Sequence, residues 1–320
     1  MTTKLILDLD TGIDDALALA YALASPEVEL IGVTCTYGNV VVEQSVRNTL
    51  AILELFGRTD VPVFEGPGHA RAKDSFEVQE ISAFIHGQNG IGEVEIPDAA
   101  RQVEQTSAVD FLVDSVHKYG DELVIVPTGP STTIAAAIEA SNVFRDGAQI
   151  VMMGGALTVP GNVTAWSEAN IHQDPEATDL MFRSLRNVTM IGLDVTLQTL
   201  LTTAETTKWA ELGTAGGAFL ADITNYYIDA YKTTSPHLGG CGLHDPLAVA
   251  VAINPGLVDT LGVNMKVDTE GETRGRTIGD EARLNDPDKH AAVAVRVDTT
   301  GFLQEFMHRL SVLAQATPVV

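Results

Sequence analysis

The chain has 320 residues, of which 45% are hydrophobic, and its formal net charge is -24. It contains no run of ~20 apolar residues that would predict a membrane span, and so acidic a surface would repel the phosphates of nucleic acid. The first predicted strand follows Met1 almost at once, which leaves no room for a secretory signal, so we expect a cytoplasmic protein.

The first turn of the chain gathers several carboxylates. The apolar run Leu5-Ile6-Leu7 predicts a buried strand, and the Ala- and Leu-rich run at 16–20 predicts a helix. Gly12 is predicted to supply the tight turn between the two elements. The acidic residues of this stretch are Asp8, Asp10, Asp14 and Asp15.

Neighbouring acids in a partly buried turn repel one another unless a cation neutralises them. Ca2+ and Mg2+ take oxygen ligands and need no Cys or His. The alternative is an ordinary acidic helix start, where carboxylates favour the positive end of the helix dipole. That alternative accounts for Asp14 or Asp15 but not for Asp8 and Asp10, which lie on the strand side. The turn therefore predicts a site for a hard divalent cation.

A second strand at 28–36 and a helix at 43–56 continue the pattern. Strand-helix-strand-helix order predicts a parallel sheet with right-handed crossovers, which puts Asn39 at the same edge as the acidic turn. The pattern then weakens over 66–97, a stretch that includes His86. This long segment is either a lid over the site or an ordinary surface excursion.

The middle of the chain adds further polar residues to this edge. A strand at 123–126 ends just before Thr128, whose backbone carbonyl suits a hard cation. A strand at 149–153 ends at Met153 and leads into a polar, glycine-bearing loop. Amides and carboxylates in a cleft suit a polyhydroxylated ligand such as a sugar. The loop residues of this kind are Asn162, Glu168 and Asn170.

Two more groups of residues follow in the last third of the chain. Within a helical pattern at 203–231, Tyr227 and Tyr231 share a face, which suits either the core or a small-molecule pocket. Glycines at 239–242 predict a flexible entry into a buried helix that starts at His244 and Asp245. The pair is either a capping Asp beside an incidental His or part of the site.

These elements predict an α/β protein with one domain over residues 1–320. We expect a mostly parallel open sheet flanked by helices, with the active site at the C-terminal edge of the strands. The motifs that carry this edge are Asp8-x-Asp10-x-Gly12-x-Asp14-Asp15, Tyr37-Gly38-Asn39, Thr128-Gly129-Pro130, Met153-Gly154-Gly155, Gly161-Asn162, Glu168-x-Asn170 and His244-Asp245-Pro246-Leu247-Ala248.

In this order the motifs resemble those of the nucleoside hydrolase family, in its inosine-uridine-preferring branch. Haloacid-dehalogenase-like phosphatases also begin with a strand and Asp-x-Asp, but they need a second acidic motif, for which Gly279-Asp280 is the sole candidate. A metal-dependent nucleoside-binding protein without turnover is another alternative, and the intact Asp10 argues against it.

The resemblance implies a nucleoside-salvage hydrolase that cleaves the N-glycosidic bond of uridine- or inosine-type ribonucleosides. It implies one Ca2+, with Asp10 as general base on the metal-bound water and His244 assisting the leaving base. The implied metal ligands are Asp10, Asp15, the Thr128 carbonyl and Asp245. The implied substrate-binding residues are Asp14, Asn39, His86, Met153, Asn162, Glu168, Asn170, Tyr227 and Tyr231. Relatives are homodimers or homotetramers, and the expected partner is a small ribonucleoside, with no nucleic acid and no membrane.

The chain departs from the family's pattern at three positions. Members often have Pro, Asp and Phe where this chain has Thr11, Asn89 and Ala169. The last two changes affect the lid and a wall near the sugar, and hence base preference. Purine-specific relatives stack the base between tryptophans, and the only tryptophans here are Trp166 and Trp209. The sequence therefore favours uridine- or inosine-type substrates over strict purine specificity.

Overall fold

The computed structural model describes residues 2–319. Its strands are β1 (Thr3–Leu9), β2 (Val28–Cys35), β3 (Val63–Glu65), β4 (Leu123–Pro127), β5 (Gln149–Met153), β6 (Asn187–Ile191), β7 (Leu200–Leu201), β8 (Cys241–Gly242), β9 (Val258–Val263), β10 (Met265–Val267), β11 (Thr277–Gly279) and β12 (Ala291–Val297). Its helices are α1 (Ile13–Leu23), α2 (Val42–Leu55), α3 (Glu80–His86), α4 (Ala108–Tyr119), α5 (Thr132–Ala140), α6 (Asn142–Gly147), α7 (Ala169–Gln173), α8 (Pro175–Ser184), α9 (Leu193–Thr196), α10 (Thr203–Ala210), α11 (Ala215–Thr234), α12 (His244–Ile253) and α13 (Thr299–Gln315). None of these helices is long and apolar enough to cross a membrane.

The central sheet has eight strands over the described residues, in the order β3-β2-β1-β4-β5-β6-β12-β9. Every neighbouring pair is parallel except β12 and β9, which are antiparallel. Because β1 lies between β2 and β4, the strand order reverses there. In open α/β sheets such a reversal opens a ligand crevice outside the carboxyl ends of the strands. The predicted fold class is confirmed, and the acidic turn after β1 and Thr128 after β4 both border this crevice.

Both faces of the sheet are covered by helices, as the alternation of side chains along β1 requires. Leu5, Leu7 and Leu9 pack on one face with buried residues of α1, α11, α12 and α13. Ile6 packs on the other face with buried residues of α4, α5 and α8. The sheet is therefore buried on both sides, and only its edge is open to a ligand.

Helices α1 and α12 pack against each other, and both begin at the open edge. Their Ala-rich sequences allow close approach, and α12 is buried from His244 to Ala252. The first turns carry Asp14 and Asp15 in α1 and Asp245 in α12. The positive ends of two helix dipoles thus meet the acidic residues, which favours their charged forms.

Several local predictions need correction. The weak segment at 66–97 contains helix α3, and the polar loop after β5 contains helix α7. The helical pattern at 203–231 is two helices. Helix α10 ends at Ala210, Gly213 with φ +65° lies in the turn that follows, and Thr214 caps α11 by accepting a hydrogen bond from Gly217 N.

The entry to α12 is also different from the predicted flexible glycine run. Cys241 and Gly242 form strand β8, which pairs antiparallel with Leu201 and Leu200 of β7. Backbone hydrogen bonds therefore hold the segment that delivers His244 to the edge of the sheet.

Candidate active site

A cluster of three buried carboxylates marks the centre of the crevice. Each of Asp14, Asp15 and Asp245 offers an oxygen within 4.8 Å of the others, and the three residues are 7%, 0% and 2% exposed. No lysine or arginine within residues 2–319 forms an ion pair with them. Burial, reinforced by the repulsion among these acids, raises the pKa of Asp245 well above its usual range. The chemistry of these donors fits a hard divalent cation.

Asp10 lies beside this cluster with one oxygen held and the other free. The backbone N–H of Asn39 donates to Asp10 Oδ2 at 2.7 Å, whereas Oδ1 is buried without a partner among the described residues. Burial, with the nearby Asp15 charge, raises the pKa of Asp10 well above its usual value. Gly38 is required here, because a Cβ at that position would lie 2.0 Å from Asp10 Oδ2.

Asp15 ties the acidic turn to the ends of β2 and β4. Its Oδ1 accepts from Thr128 Oγ1 at 2.7 Å, and its Oδ2 accepts from Asn39 Nδ2 at 3.2 Å. The Thr128 carbonyl accepts from Asn170 Nδ2 at 2.6 Å. The four predicted metal ligands thus come from one edge of the sheet. The tightest cluster, however, contains Asp14, which the sequence assigned to the sugar, and not Asp10.

Asp8 stands apart from the other acids of the turn. It is the last but one residue of β1, fully buried, and its Oδ1 accepts from Thr34 Oγ1 at 2.6 Å. Burial raises the pKa of Asp8 to about 7. Asp8 does not line the cleft.

Gly12 has a different role from the predicted one. Its φ of -88° is open to any residue, so the turn itself does not require glycine. A Cβ there would instead lie 2.6 Å from both Asn39 Nδ2 and His86 Nδ1. His86 Nδ1 accepts from the Ile13 N–H at 3.1 Å, and burial lowers the pKa of His86 to about 4. Gly12 therefore lets helix α3, through His86, close onto the acidic turn.

Of the predicted sugar residues, Asn162, Glu168 and Asn170 form a second wall of the cleft, whereas Asp14 and Asn39 lie with the acidic turn. Glu168 Oε1 accepts from Asn170 N at 3.0 Å, Oε2 accepts from Gly155 N at 2.9 Å, and burial raises the pKa of Glu168 to about 6. Asn170 Nδ2 also approaches the Met153 carbonyl at 3.3 Å. Asn162 is exposed at the rim, where its Oδ1 accepts from Ala169 N. This wall therefore offers the Glu168 carboxylate as an acceptor and the side-chain amides of Asn162 and Asn170, all held by hydrogen bonds to the backbone.

Two tyrosines and a histidine form the far side. Tyr227 OH donates to Asp14 Oδ2 at 3.3 Å, and the Tyr227 and Tyr231 ring centroids are 4.9 Å apart. Tyr231 OH lies 2.6 Å from His244 Nε2, and His244 Nδ1 lies 2.7 Å from Thr196 Oγ1. Burial lowers the pKa of His244 to about 4. Sequence reasoning missed Thr196, because no local pattern marks it.

Most of these side chains surround one cleft of about 690 Å³. Every predicted substrate-binding residue lines it, together with Thr128, His244 and Asp245, while Asp10 and Asp15 are fully buried behind the wall. The sequence did not predict the apolar part of the lining, which belongs to α3, α9 and the turn after α11: Ile81, Ile85, Leu193, Leu197 and Leu238.

The fold and the site define an α/β protein with a polar, cation-compatible cleft at the switch point of a parallel sheet. A family model described as inosine-uridine preferring nucleoside hydrolase matches residues 5–304, and the chain belongs to that family.

Individual relatives extend the likeness over nearly the whole chain. A probable uridine nucleosidase 2 of Arabidopsis thaliana is 36% identical over 315 residues, covering 96% of this chain and 97% of its own length. The pyrimidine-specific ribonucleoside hydrolase RihA of Escherichia fergusonii is 32% identical, with 98% and 100% covered. The solved structure of a purine-preferring ribonucleoside hydrolase from Gardnerella vaginalis is 65% identical with a TM-score of 0.96, covering 98% of this chain and 99% of that one.

Proposed function

We propose that the protein hydrolyses the N-glycosidic bond of ribonucleosides in this cleft, releasing free base and ribose. One observation carries the proposal: buried carboxylates converge at the switch point, and Asp10 Oδ1 and Asp14 Oδ1 have no partner among the described residues. Buried acceptors of this kind are costly unless a ligand or an ion completes them. Family membership supports a nucleoside as that ligand.

The cation would be one Ca2+, held by the carboxylates of Asp10, Asp15 and Asp245 and by the Thr128 carbonyl. Asp14 lies within the same oxygen cluster, and its carboxylate would add negative charge next to the cation. When bound, Ca2+ would lower the pKa of a coordinated water and hold hydroxyl groups of the ribose. The buried cluster of Asp14, Asp15 and Asp245 consists of carboxylates alone, and such oxygen donors support a hard cation.

Asp10 would act as the general base. The Asn39 N–H fixes Oδ2, so the carboxylate keeps one orientation while Oδ1 stays free to accept a proton. A base must be within hydrogen-bond reach of its proton and must have a pKa matched to its task, and burial raises the pKa of Asp10 in that direction.

The polar wall would hold the ribose. Asp14, Asn39, Asn162, Glu168 and Asn170 all line the cleft, and the backbone contacts of Glu168 and Asn170 fix their positions. Glu168 Oε1 accepts one backbone N–H and keeps a lone pair for a hydroxyl. Hydrogen bonds to ring hydroxyls that strengthen as the sugar becomes oxocarbenium-like would lower the barrier.

The base would lie against Tyr227 and Tyr231, where His244 would assist its departure. We propose that inosine and uridine are both cleaved and that inosine is cleaved faster. The 65% identical purine-preferring relative supports cleavage of inosine, and the Arabidopsis uridine nucleosidase supports cleavage of uridine. The cleft of about 690 Å³ has room for either base beside a ribose.

The proposal is tested by incubating the protein with a panel of nucleosides in the presence of Ca2+ and measuring the released free base by chromatography. Inosine and uridine should both yield free base and ribose. Binding of nucleoside without release would favour the binding-protein alternative, and hydrolysis of p-nitrophenyl phosphate would favour the phosphatase alternative. If none of the nucleosides is cleaved, the proposed reaction is wrong.

We further propose a homodimer or homotetramer, an assembly that rests on the resemblance to the family alone, and we propose the cytoplasm as its location. Light scattering during size-exclusion chromatography measures the assembly, and a monomeric mass would contradict it.

A further inference from the structure

A long loop, residues 154–168, connects β5 to α7 and carries part of the polar wall of the cleft. Asn162 in its middle and Glu168 at its end both line the cleft. The loop contains no helix or strand. Ordering a segment of this kind costs conformational entropy at every residue, so contacts with other elements must hold it in one conformation. Those contacts then also fix the position of Asn162.

The hairpin formed by β10 and β11, residues 265–279, contacts both ends of this loop. Near the start of the loop, Thr277 Oγ1 accepts from Ala156 N and donates to the Ala156 carbonyl, each at 3.0 Å. Near its end, Gly275 packs on the buried Ser167. A Cβ at Gly275 would lie 2.1 Å from Ser167 Oγ, and its φ of +87° also favours glycine. The hairpin therefore contacts the loop as closely as backbone allows.

Arg276, which lies between these two hairpin residues, stacks on the ring of Trp166 in the loop. The guanidinium carbon is 5.0 Å from the ring centroid, within the range of a cation–π contact. No carboxylate within residues 2–319 forms an ion pair with Arg276. Trp166 is 43% exposed, and a guanidinium stacked on the indole limits the rotamers open to the ring.

The hairpin is itself fixed to helix α8. Arg274 Nη2 donates to Glu176 Oε2 at 2.9 Å, and Asp179 Oδ1 accepts from Val267 N at 2.9 Å. Helix α8 contributes buried residues to the hydrophobic core on one face of the sheet. The contacts that hold the loop thus lead back to the core and not to another loop.

Backbone hydrogen bonds within the loop connect Trp166 to Asn162. The two residues that flank Asn162 in the chain are bonded to the two residues that flank Trp166. A displacement of Trp166 would therefore move the backbone on both sides of Asn162. The two contacts run from Gly161 N to the Ala165 carbonyl at 3.3 Å and from Val163 N to the Ser167 carbonyl at 3.2 Å.

We propose that Arg276 is a positioning residue that stacks on Trp166 and thereby holds Asn162 in place for the ribose. The inference rests on the proposed function, because it assigns the ribose to Asn162. Arg276 itself does not line the cleft. Its loss should weaken binding of the substrate and of the transition state alike, which raises KM and leaves kcat unchanged.

The stacking can be measured on the ligand-free protein by ¹H–¹⁵N NMR of the tryptophan indole groups. The chain has two tryptophans, so the fully buried Trp209 is an internal reference and Trp166→Phe assigns the signals. We expect the Trp166 indole to be nearly as rigid as that of Trp209 on the picosecond to nanosecond timescale. In Arg276→Ala, the Trp166 signal should shift and become mobile while the Trp209 signal stays unchanged. This readout needs no turnover, so it stands even if the proposed reaction is wrong.

Kinetics of substitutions at the pair test its effect on the sugar. Arg276→Ala should raise KM for inosine and uridine ~3-fold or more and change kcat less than ~1.5-fold, as expected for the loss of a cation–π contact that acts on binding alone. Trp166→Ala should have the same effect, and the double variant should be no worse than either single variant. Arg276→Lys keeps the charge without the flat guanidinium and should be intermediate. Trp166→Phe keeps a ring and should restore most of the binding.

Lys118→Ala is the matched control, since Lys118 lies 4.7 Å from the centroid of the Tyr119 ring on α4 and neither residue lines the cleft. It should leave KM and the Trp166 signal unchanged. A lower Tm with unchanged KM in Arg276→Ala would reveal a purely structural role and overturn the inference. Additive effects of the two alanine substitutions, or a Trp166 signal that Arg276→Ala leaves unchanged, would also overturn it. If Arg276→Ala does not fold, the mobility of Trp166 in the wild type decides.

Discussion

The backbone N–H of Asn39 donates to Asp10 Oδ2 at 2.7 Å and leaves the other oxygen of Asp10 without a partner among the described residues. The contact joins the segment after β2 to the residue after β1. A carboxylate fixed at one oxygen and free at the other keeps one orientation and a lone pair that can accept a proton, which is the arrangement a general base needs.

Asp10→Asn should abolish most of the turnover while keeping the fold. The amide keeps the shape of the carboxylate but cannot remove a proton, so kcat should fall by at least ~100-fold. Base release from inosine and uridine measures the rate, and circular dichroism checks the fold. The control is Asp114→Asn, an exposed acid on α4. A near-normal rate in Asp10→Asn would assign Asp10 to structure alone.

Calcium should stabilise the protein more at pH 7.5 than at pH 5. Burial raises the pKa of Asp8 to about 7 and those of Asp14 and Glu168 to about 6 in the metal-free fold. Groups whose folded pKa exceeds the unfolded value stabilise the fold at low pH, and this stability is lost as the pH rises through the folded pKa. The metal-free protein should therefore lose stability between about pH 4 and pH 7.

Thermal unfolding in EGTA and in excess Ca2+ at both pH values tests this prediction. The rise in Tm on adding Ca2+ should be the larger at pH 7.5, because ionised carboxylates bind the cation and protonated ones do not. The matching Mg2+ titration separates a specific site from general screening. No shift in Tm with Ca2+ at pH 7.5 would contradict a calcium site.

His244→Ala should slow natural nucleosides far more than p-nitrophenyl riboside. The latter has a leaving group that needs little assistance, whereas a natural base departs only with a proton or a hydrogen bond. His308→Ala, an exposed histidine on α13, serves as the control. If both substrates slow equally, His244 positions the substrate and does not assist the leaving group.

The enzyme should require a free 2′-hydroxyl on the ribose. The polar residues Asp14, Asn39, Asn162, Glu168 and Asn170 line the cleft and would hold the ribose. A buried site built to bind a hydroxyl can reject the analogue without it by up to ~10^4-fold, because its own groups are then unpaired. We therefore expect 2′-deoxyuridine to be nearly inert and 5-methyluridine to be cleaved. Equal kcat/KM for the two would refute the assignment of these residues to the sugar.

The sequence predicts the fold class and the position of the site, because both follow from patterns of residues that are close together in the chain. Hydrophobic runs and the turn between them place Asp10 directly after β1 and Asp15 in the first turn of α1. Helices α3 and α7 are missed because they are too short to show an apolar period.

What the sequence does not predict depends on distances between remote elements. Thr196 and His244 meet only because α9 and α12 pack together. The choice between Asp10 and Asp14 as members of the tight oxygen cluster depends on side-chain rotamers, which the spacing of the motif leaves open. Gly12 is glycine because of Asn39 and His86, neither of which lies nearby in the chain.

Asp14 and Asp15 are among the first residues of the chain to be synthesised, and Asp245 is supplied only after most of it has left the ribosome. A nascent chain that stops before α12 has two of the three clustered carboxylates and not the third. Calcium binding would then show that the chain has been synthesised past Asp245 and that the third carboxylate has joined the other two. Truncated chains stalled before and after residue 245 would differ abruptly in the calcium they retain.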